Sequence, residues 1–523
     1  MTRSGVQIDI AARFAATVAS LAGWRRHALA AACGALATLA LPPVHLVVAL
    51  VPAFAGLVWL IAAAPSPRRA FAAGWLFGIG HFATGLYWVS HALLVEPTRF
   101  GWMIPFALVG LGGGLGLFSG AAAAAAWGLA RRGIVLPLAL AVAWLGAEWL
   151  RGHVLTGFPW NLAGTAWSGL PPIAGLAAIL GLYGLTALTV AVAALAGAAR
   201  PALRHAALAA FAVAQVLHLL WPVLAPARGD VPAADRPRLR LVQPDIPQSL
   251  KWDPRERQAH LQLTADLSLA PGFAAIDHVL WPETATLFPL AGDAAFRRNL
   301  ADLVPPRGYL LAGSTRVERA PRLQVWNSLH ALDGDGEIRA TYDKFHLVPF
   351  GEYAPLRGVL PIDKLAVGPV DFSAGPGPRT LRLPGLPPFS PLICYESIFP
   401  GAVRDPGDRP DWILVATNDA WFGASAGPHQ HFAAAVFRAI EEGLPVVRVA
   451  NGGMSGVIDA RGHVVAALPL GARTHLDVTL PPPLPLPLYA RLGDGLLLVL
   501  AALLLALGRV GRDAGMAPPP ARC

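Results

Sequence analysis

Cysteine and lysine are almost missing from this chain of 523 residues. It has three cysteines, at positions 33, 394 and 523, and three lysines, at 251, 344 and 364, against 38 arginines. So few thiols exclude a fold stapled by disulfides. Charge is also scarce: charged residues make up 14% of the chain and hydrophobic residues 55%, which excludes an ordinary soluble protein. The apolar residues are segregated. Residues 27–224 contain little else, residues 226–485 read as a soluble domain, and residues 494–508 are apolar again. A membrane part, a soluble domain and a closing anchor follow. The formal net charge of +9 would point to nucleic acid in a soluble protein, but the arginines cluster at the ends of apolar segments, where they act as topology signals.

A spanning helix needs about 20 apolar residues. On that measure the sequence predicts eight spans, near 26–41, 46–64, 70–92, 102–130, 133–150, 173–199, 205–224 and 491–508. The first 20 residues carry Asp9 and no small-residue cleavage site, so an uncleaved start is expected. With the N-terminus inside, thirteen arginines fall in cytoplasmic segments and two, Arg99 and Arg151, in short outside loops. Seven spans then place 226–485 outside the cytoplasm. The expected division is a membrane domain over 1–225, an extracytoplasmic domain over 226–485, and a last span with a cytoplasmic tail over 486–523.

Within 226–485, the runs RLRLVQ (238–243), HVLWP (278–282), YLLAGS (309–314), SLHALD (328–333), LRLP (381–384), SPLICYE (390–396), DWILVATN (411–418) and PVVRVAN (445–451) read as strands. Several are apolar on both faces, which suits sheets covered on each side and an α/β layered domain. Helical periodicity runs over 254–270, 293–303 and 428–442.

Cys33 falls in a predicted span and Cys523 is the final residue, so Cys394 has no disulfide partner in its own domain. It is either a buried small hydrophobe or a nucleophile. Its position at the end of an apolar strand, before Tyr395 and Glu396, suits a nucleophile on a sharp strand-to-helix turn, with backbone N–H groups beyond it to hold an oxyanion. A thiol needs a base or a nearby cation to ionise near neutral pH. Glu283 in LWPETATLF, at another strand end, fits the base, its plain alternative being a solvated loop carboxylate. Lys344 in TYDKFHLVPFGEYAP is a lysine in a chain that nearly always selects arginine, and a compact ammonium there would stabilise a thiolate and an oxyanion.

The trio of Glu283 in WPET, Lys344 in DKFHLVPFGEY and Cys394 in CYES resembles the Glu-Lys-Cys triad of the nitrilase superfamily, whose αββα sandwich matches the predicted strands. Fused to about eight spans, the chain resembles the apolipoprotein N-acyltransferase family. The likeness runs through TGFPWNLAG (156–164), QPDIPQSLKWDP (243–254), YDKFHLVPFGEYAP (342–355), CYESIFP (394–400), NDAWFG (418–423), GPHQHF (427–432) and VANGGMSG (449–456). It implies a multi-pass protein of the bacterial inner membrane with a periplasmic catalytic domain. The implied reaction takes an acyl chain from the sn-1 position of a phospholipid, typically phosphatidylethanolamine, through a Cys394 thioester to the α-amine of a diacylated apolipoprotein. No metal or diffusible cofactor is implied.

Glu352 and Glu396 are second-tier candidates, either orienting Lys344 or satisfying loop backbone. Trp252, Trp421, Tyr395 and Trp160 fit a lipid path or interface anchors. Asn451 and Ser455 stand as contacts only. The HQH pair His429 and His431 lacks a third ligand at metal spacing and reads as packed or hydrogen-bonded. Two other classes compete: a membrane-tethered amidase whose thioester is captured by water, and a transporter or lipid-binding scaffold. Against the scaffold, the spans hold few central charges besides Glu148 and His81.

Overall fold

The computed structural model describes residues 10–196, 209, 236–286, 288–355, 364–366 and 370–513. The predicted span 205–224, Cys523 and the junction near 225 lie outside the described residues, apart from residue 209. The chain divides into two compact units. One takes Met1–Tyr87, Pro105–Trp221 and Leu492–Cys523, and the other Trp88–Ile104 and Pro222–Arg491, as far as their residues are described.

The first unit is helical, with Gly23–Ala37, Leu50–Ala62, Pro67–Gly85, Ile104–Arg131, Leu136–His153, Ala177–Ala196 and Gly495–Asp513 as its main helices. Two stretches, Pro97–Arg131 and Ala177–Ala196, are long and apolar enough to cross a membrane, and Val47–Ala62 and Gly495–Val510 are shorter apolar helices. Glycine sets how closely they approach. A Cβ on Gly34 would lie 1.8 Å from the carbonyl oxygen of Phe77, and one on Gly80 2.0 Å from that of Ala31, so Gly23–Ala37 and Pro67–Gly85 touch backbone to backbone. Small residues at helix contacts serve this end where no hydrophobic effect drives association.

Two sequence expectations change. The predicted span 70–92 stops at Gly85, and the chain continues through short helices Val89–Leu93 and Pro97–Phe100 within the second unit. Trp88 fixes that course, donating from its indole to Gln430 (3.0 Å) with its ring edge-on to Phe422 (4.5 Å). Arg151 is not a loop residue. It sits buried in the last turn of Leu136–His153, bound to Glu148 and donating to the carbonyls of Phe158 and Trp160.

The second unit is built on two six-stranded sheets. The first orders its strands β12-β1-β2-β3-β4-β5, where β1 is Arg238–Gln243, β2 His278–Leu280, β3 Tyr309–Glu318, β4 Gln324–Leu332, β5 Ile338–Asp343 and β12 Thr474–Thr479. The second orders β11-β10-β9-β8-β7-β6, where β6 is Leu381–Leu383, β7 Leu386–Ile393, β8 Trp412–Asn418, β9 Val446–Asn451, β10 Gly456–Ile458 and β11 Val464–Ala467. Each sheet has a parallel trio, β1-β2-β3 or β7-β8-β9, flanked by antiparallel strands. Leu239, Leu280 and Leu311 of one sheet share a core with Phe389, Leu414 and Val447 of the other, so the sheets pack face to face. The far face of the first sheet buries Val279, Trp281 and Leu310 against Leu261 and Ala265 of the helix Arg257–Ser268. On the second sheet's side, the helix Ala426–Glu442 covers the glycine turn at Gly462, where a Cβ would meet Ile440 at 2.6 Å. All eight predicted strands are present. The four missed ones, β5, β10, β11 and β12, are short or lie toward the sheet margins; β5 and β12 are part-exposed and lack apolar runs, while β11, Val-Val-Ala-Ala, is a four-residue edge strand that is mostly exposed.

Candidate active site

Parallel strands aim their C-terminal ends at one edge of a sheet, and the chemistry gathers there. β7 ends at Ile393, and Cys394 opens the short turn Cys394–Ile398 with φ at 52°, a left-handed conformation that costs a non-glycine residue energy. This is a nucleophile elbow. The strain is held from outside: Ser397 Oγ donates to the Cys394 carbonyl (3.0 Å), and His431 Nε2 lies 3.1 Å from the same oxygen. His431 Nδ1 in turn meets Asp419 Oδ1 (2.9 Å), whose other oxygen accepts from Arg448 (2.5 Å).

Cys394, Asp419 and His431 therefore bring a sulfur, a carboxylate and an imidazole within 4.8 Å of one another, a grouping that invites a metal. The donors do not fit one. Both ring nitrogens of His431 face hydrogen-bond partners, Asp419 also accepts from Thr417 (2.8 Å), and the Arg448 guanidinium is 3.1 Å from His431 Nδ1. The cluster holds the back of the elbow.

Glu283 follows β2 by three residues and is 7% exposed. Its Oε1 accepts from Asn327 Nδ2 (2.6 Å) and its Oε2 from the Asn418 backbone N–H (2.8 Å) at the end of β8. Lys344 follows β5 and is 1% exposed, with Nζ 2.9 Å from Glu352 Oε1 and 3.7 Å from Glu283 Oε1. Burial opposes its charge, but the carboxylates of Glu352 and Glu283 outweigh burial and hold Lys344 protonated well above the usual lysine range. Burial and then the Glu283 carboxylate push the Cys394 thiol far up, against the pull of Lys344. The resting sulfur is a thiol, so attack needs a base to remove its proton.

Of the second-tier residues, Glu352 bonds Lys344 directly and also accepts from Asn327 (3.1 Å) and the Val348 N–H (2.8 Å). Glu396 takes the backbone role. It accepts from the N–H groups of Ile393 (2.7 Å), Phe345 (2.6 Å) and His346 (3.1 Å) and from the Tyr342 hydroxyl (2.9 Å), tying the elbow to the segment after Lys344. Burial pushes its carboxyl up to about 7, opposed by those amides and by Lys344. Tyr395 packs edge-on to Phe399 and His346. Asn451 commits its amide to Ile246 and Asn418, and Ser455 accepts from the Ala450 N–H. Trp252 and Trp421 line a cavity of about 90 Å³ with Phe100, Glu96 and Gln248. Trp160 belongs to the helical unit, buried and stacked on Phe158.

Two residues at the site escaped the sequence reading. Asn327, inside β4, bridges Glu283 and Glu352, and an asparagine in a strand carries no outward signal of such a role. Lys251 is 3% exposed and donates to the Glu283 carbonyl (3.1 Å). Its signal was present, since the scarcity that singles out Lys344 applies equally to Lys251.

Two face-to-face sheets, a strained cysteine at a parallel strand end and a buried glutamate and lysine beside it define an enzyme with the carbon-nitrogen hydrolase fold. The carbon-nitrogen hydrolase family model matches residues 238–484, and the model for the apolipoprotein N-acyltransferase N-terminal domain matches residues 33–195. A protein of Rhodopseudomonas palustris named apolipoprotein N-acyltransferase is 39% identical over 97% of this chain and 98% of its own. One of the same name from Rhizobium leguminosarum bv. trifolii is 40% identical over 89% of this chain and 92% of its own. Among solved structures, an amidase from Nesterenkonia sp. aligns with 47% of this chain and 90% of its own at 20% identity and a TM-score of 0.34. The chain belongs to the apolipoprotein N-acyltransferase family, and it is an acyltransferase.

Proposed function

We propose that this enzyme carries an acyl chain from the sn-1 position of a phospholipid, through a thioester on Cys394, to the α-amine of a diacylglyceryl-cysteine at the N-terminus of an apolipoprotein. The observation that carries the reading is the convergence of Glu283, Lys344 and the strained Cys394 in one buried site. The relatives' name, apolipoprotein N-acyltransferase, supports the acceptor and the N-acyl transfer.

In the first half-reaction Glu283 takes the thiol proton as the sulfur attacks the ester carbonyl. The oxyanion forms against Lys344 and the backbone N–H groups near Tyr395. The carbon–oxygen bond then breaks, Glu283 returns the proton to the glyceryl oxygen, and a lysophospholipid leaves. A thioester splits a hard ester aminolysis into two easier steps and stores the acyl group while one lipid departs and another enters. Trp252 and Trp421 line the approach in this reading.

The remaining expectations belong to the same proposal. They are about eight spans in the bacterial inner membrane, a division at 1–225, 226–485 and 486–523, a periplasmic catalytic domain, and phosphatidylethanolamine as the donor. Supporting them, the helices Ile104–Arg131 and Gly495–Asp513 expose Phe106, Val109, Leu498, Val499 and Leu503, an apolar surface suited to lipid. The test is a mass spectrum of the purified full-length enzyme after incubation with phosphatidylethanolamine. An acyl adduct on the Cys394 peptide, released by a diacylated lipopeptide and replaced by N-acylated product, is expected. A cysteine that stays unlabelled overturns the reading, and an adduct that only water discharges turns it into the amidase.

A further inference from the structure

Two of the three lysines stand at this site, and they are held in opposite ways. Lys344 is locked between carboxylates. The side chain of Lys251, last residue of the short helix Gln248–Lys251, makes one hydrogen bond among the described residues, to the carbonyl of Glu283, and no ion pair. An ammonium has three protons to place, whereas a neutral amine can make this same single donation, so the contact does not require the charge. Elsewhere in the second unit, three buried arginines are bound to carboxylates. Arg240 binds Asp477 and three carbonyls, Arg438 binds Glu441 and the Ile398 carbonyl, and Arg448 binds Asp419. Arginine does not give up its proton in proteins, while lysine does so readily when buried.

Aminolysis of the thioester needs such a group. The acceptor arrives as an ammonium, with an ordinary α-amino pKa of roughly 7.7 to 8.0, and two protons must leave its nitrogen before an amide is formed. Glu283 can relay one of them to the departing sulfur. Lys344, held protonated by its carboxylates, cannot take the other.

We propose that Lys251 is the second base, its deprotonated form accepting the first proton of the acceptor's α-ammonium. The freed lone pair attacks the thioester carbonyl, and the carbon–sulfur bond breaks. The second proton passes through Glu283 to the Cys394 sulfur, leaving amide, thiol and a Lys251 ammonium that returns its proton to water. Burial, the largest influence on Lys251, pulls it down to about 8 against the Glu283 and Cys394 charges, which matches it to the amine it serves. The proposal deepens the transfer reading above and rests on it.

The test compares K251M and K251R with the parent, as full-length enzymes in mixed micelles of detergent and labelled phospholipid. K251R is permanently charged and K251M is never charged, and neither carries a base. Three rates are read at pH 7: acylation of Cys394, capture of the acyl group by a diacylglyceryl-cysteine peptide, and capture by hydroxylamine, which is already neutral. In both variants, transfer to the peptide should fall by roughly 10²-fold or more beyond any fall in acylation or hydroxylamine capture. Raising the pH above the peptide's own amine pKa should close the gap. Misfolding cannot produce that split, because it lowers all three rates together. An equal fall in all three rates, or unchanged peptide transfer, overturns the proposal. A parent that acylates Cys394 but transfers to neither amine overturns the function proposed above instead, and this base with it.

Discussion

At the scale of single residues, the site depends on shape as much as on charge. Lys344 is 1% exposed and fits between two carboxylates, so Lys344→Arg should fail although it keeps the charge, because a broad planar guanidinium cannot occupy a space shaped for an ammonium. Loss of acylation from labelled phospholipid, with folding intact by thermal melt, is the expected result. Glu283→Gln keeps the shape and removes the proton acceptor. Acylation should drop by roughly 10² to 10⁴ in the absence of any acceptor peptide, and acylation at the parent rate would move the base elsewhere. Cys33 lies buried in the helical unit beside Gly56, so Cys33→Ser should leave acylation intact, whereas Cys394→Ala should abolish it.

At the scale of elements, the elbow and the segment after Lys344 are joined through one carboxylate. Four donors converge on the two oxygens of Glu396, two on each. A glutamine amide has one oxygen, so its N–H₂ group faces either the Phe345 and His346 N–H groups or the Ile393 N–H and the Tyr342 hydroxyl, of which only the hydroxyl can turn to accept. Glu396→Gln should therefore cost about 1–3 kcal/mol for each donor left unsatisfied in the core, visible as a lowered melting temperature together with slower acylation. β3 meets the Glu283 segment in a similarly tight way. A Cβ on Gly313 would lie 2.5 Å from the Pro282 carbonyl oxygen and 2.8 Å from the Glu283 Cα. Gly313→Ala should displace the base, costing about 1–3 kcal/mol by overpacking and more activity than Glu396→Gln at equal loss of stability. Equal activity at matched stability would show that the close contact does not set the position of Glu283.

For the whole molecule, the testable matter is topology. Reporter fusions after Arg132 and Arg512 should register cytoplasm, and fusions within 226–485 should register export. A reporter that works only in the cytoplasm, yet is active within 226–485, would invert the proposed arrangement. The positive-inside bias behind the expectation survives the change in Arg151, since a paired, buried arginine inside a helix is no longer an outside-loop charge.

The sequence by itself determined the eight recognised strands and the strand-end positions of Glu283 and Cys394, because each rests on a local pattern. An apolar run ending in a polar residue marks a strand end, and strand ends are where a parallel sheet presents chemistry. It also determined the segregation of apolar helices from a layered α/β part, which composition alone sets. The tertiary structure decided what depends on residues far apart in the chain. Asn327 bridges Glu283 and Glu352, which are 44 and 25 positions away from it. Glu396 reaches back about 50 residues to Phe345 and His346, and Trp88 draws the stretch near residue 90 to Gln430. No period or motif encodes such pairings, since a hydrogen bond between distant strands depends on register, and register is set only when the two sheets close on their shared core. The same closure turns Lys251, one lysine in a loop of the sequence, into a buried amine against the carbonyl of Glu283.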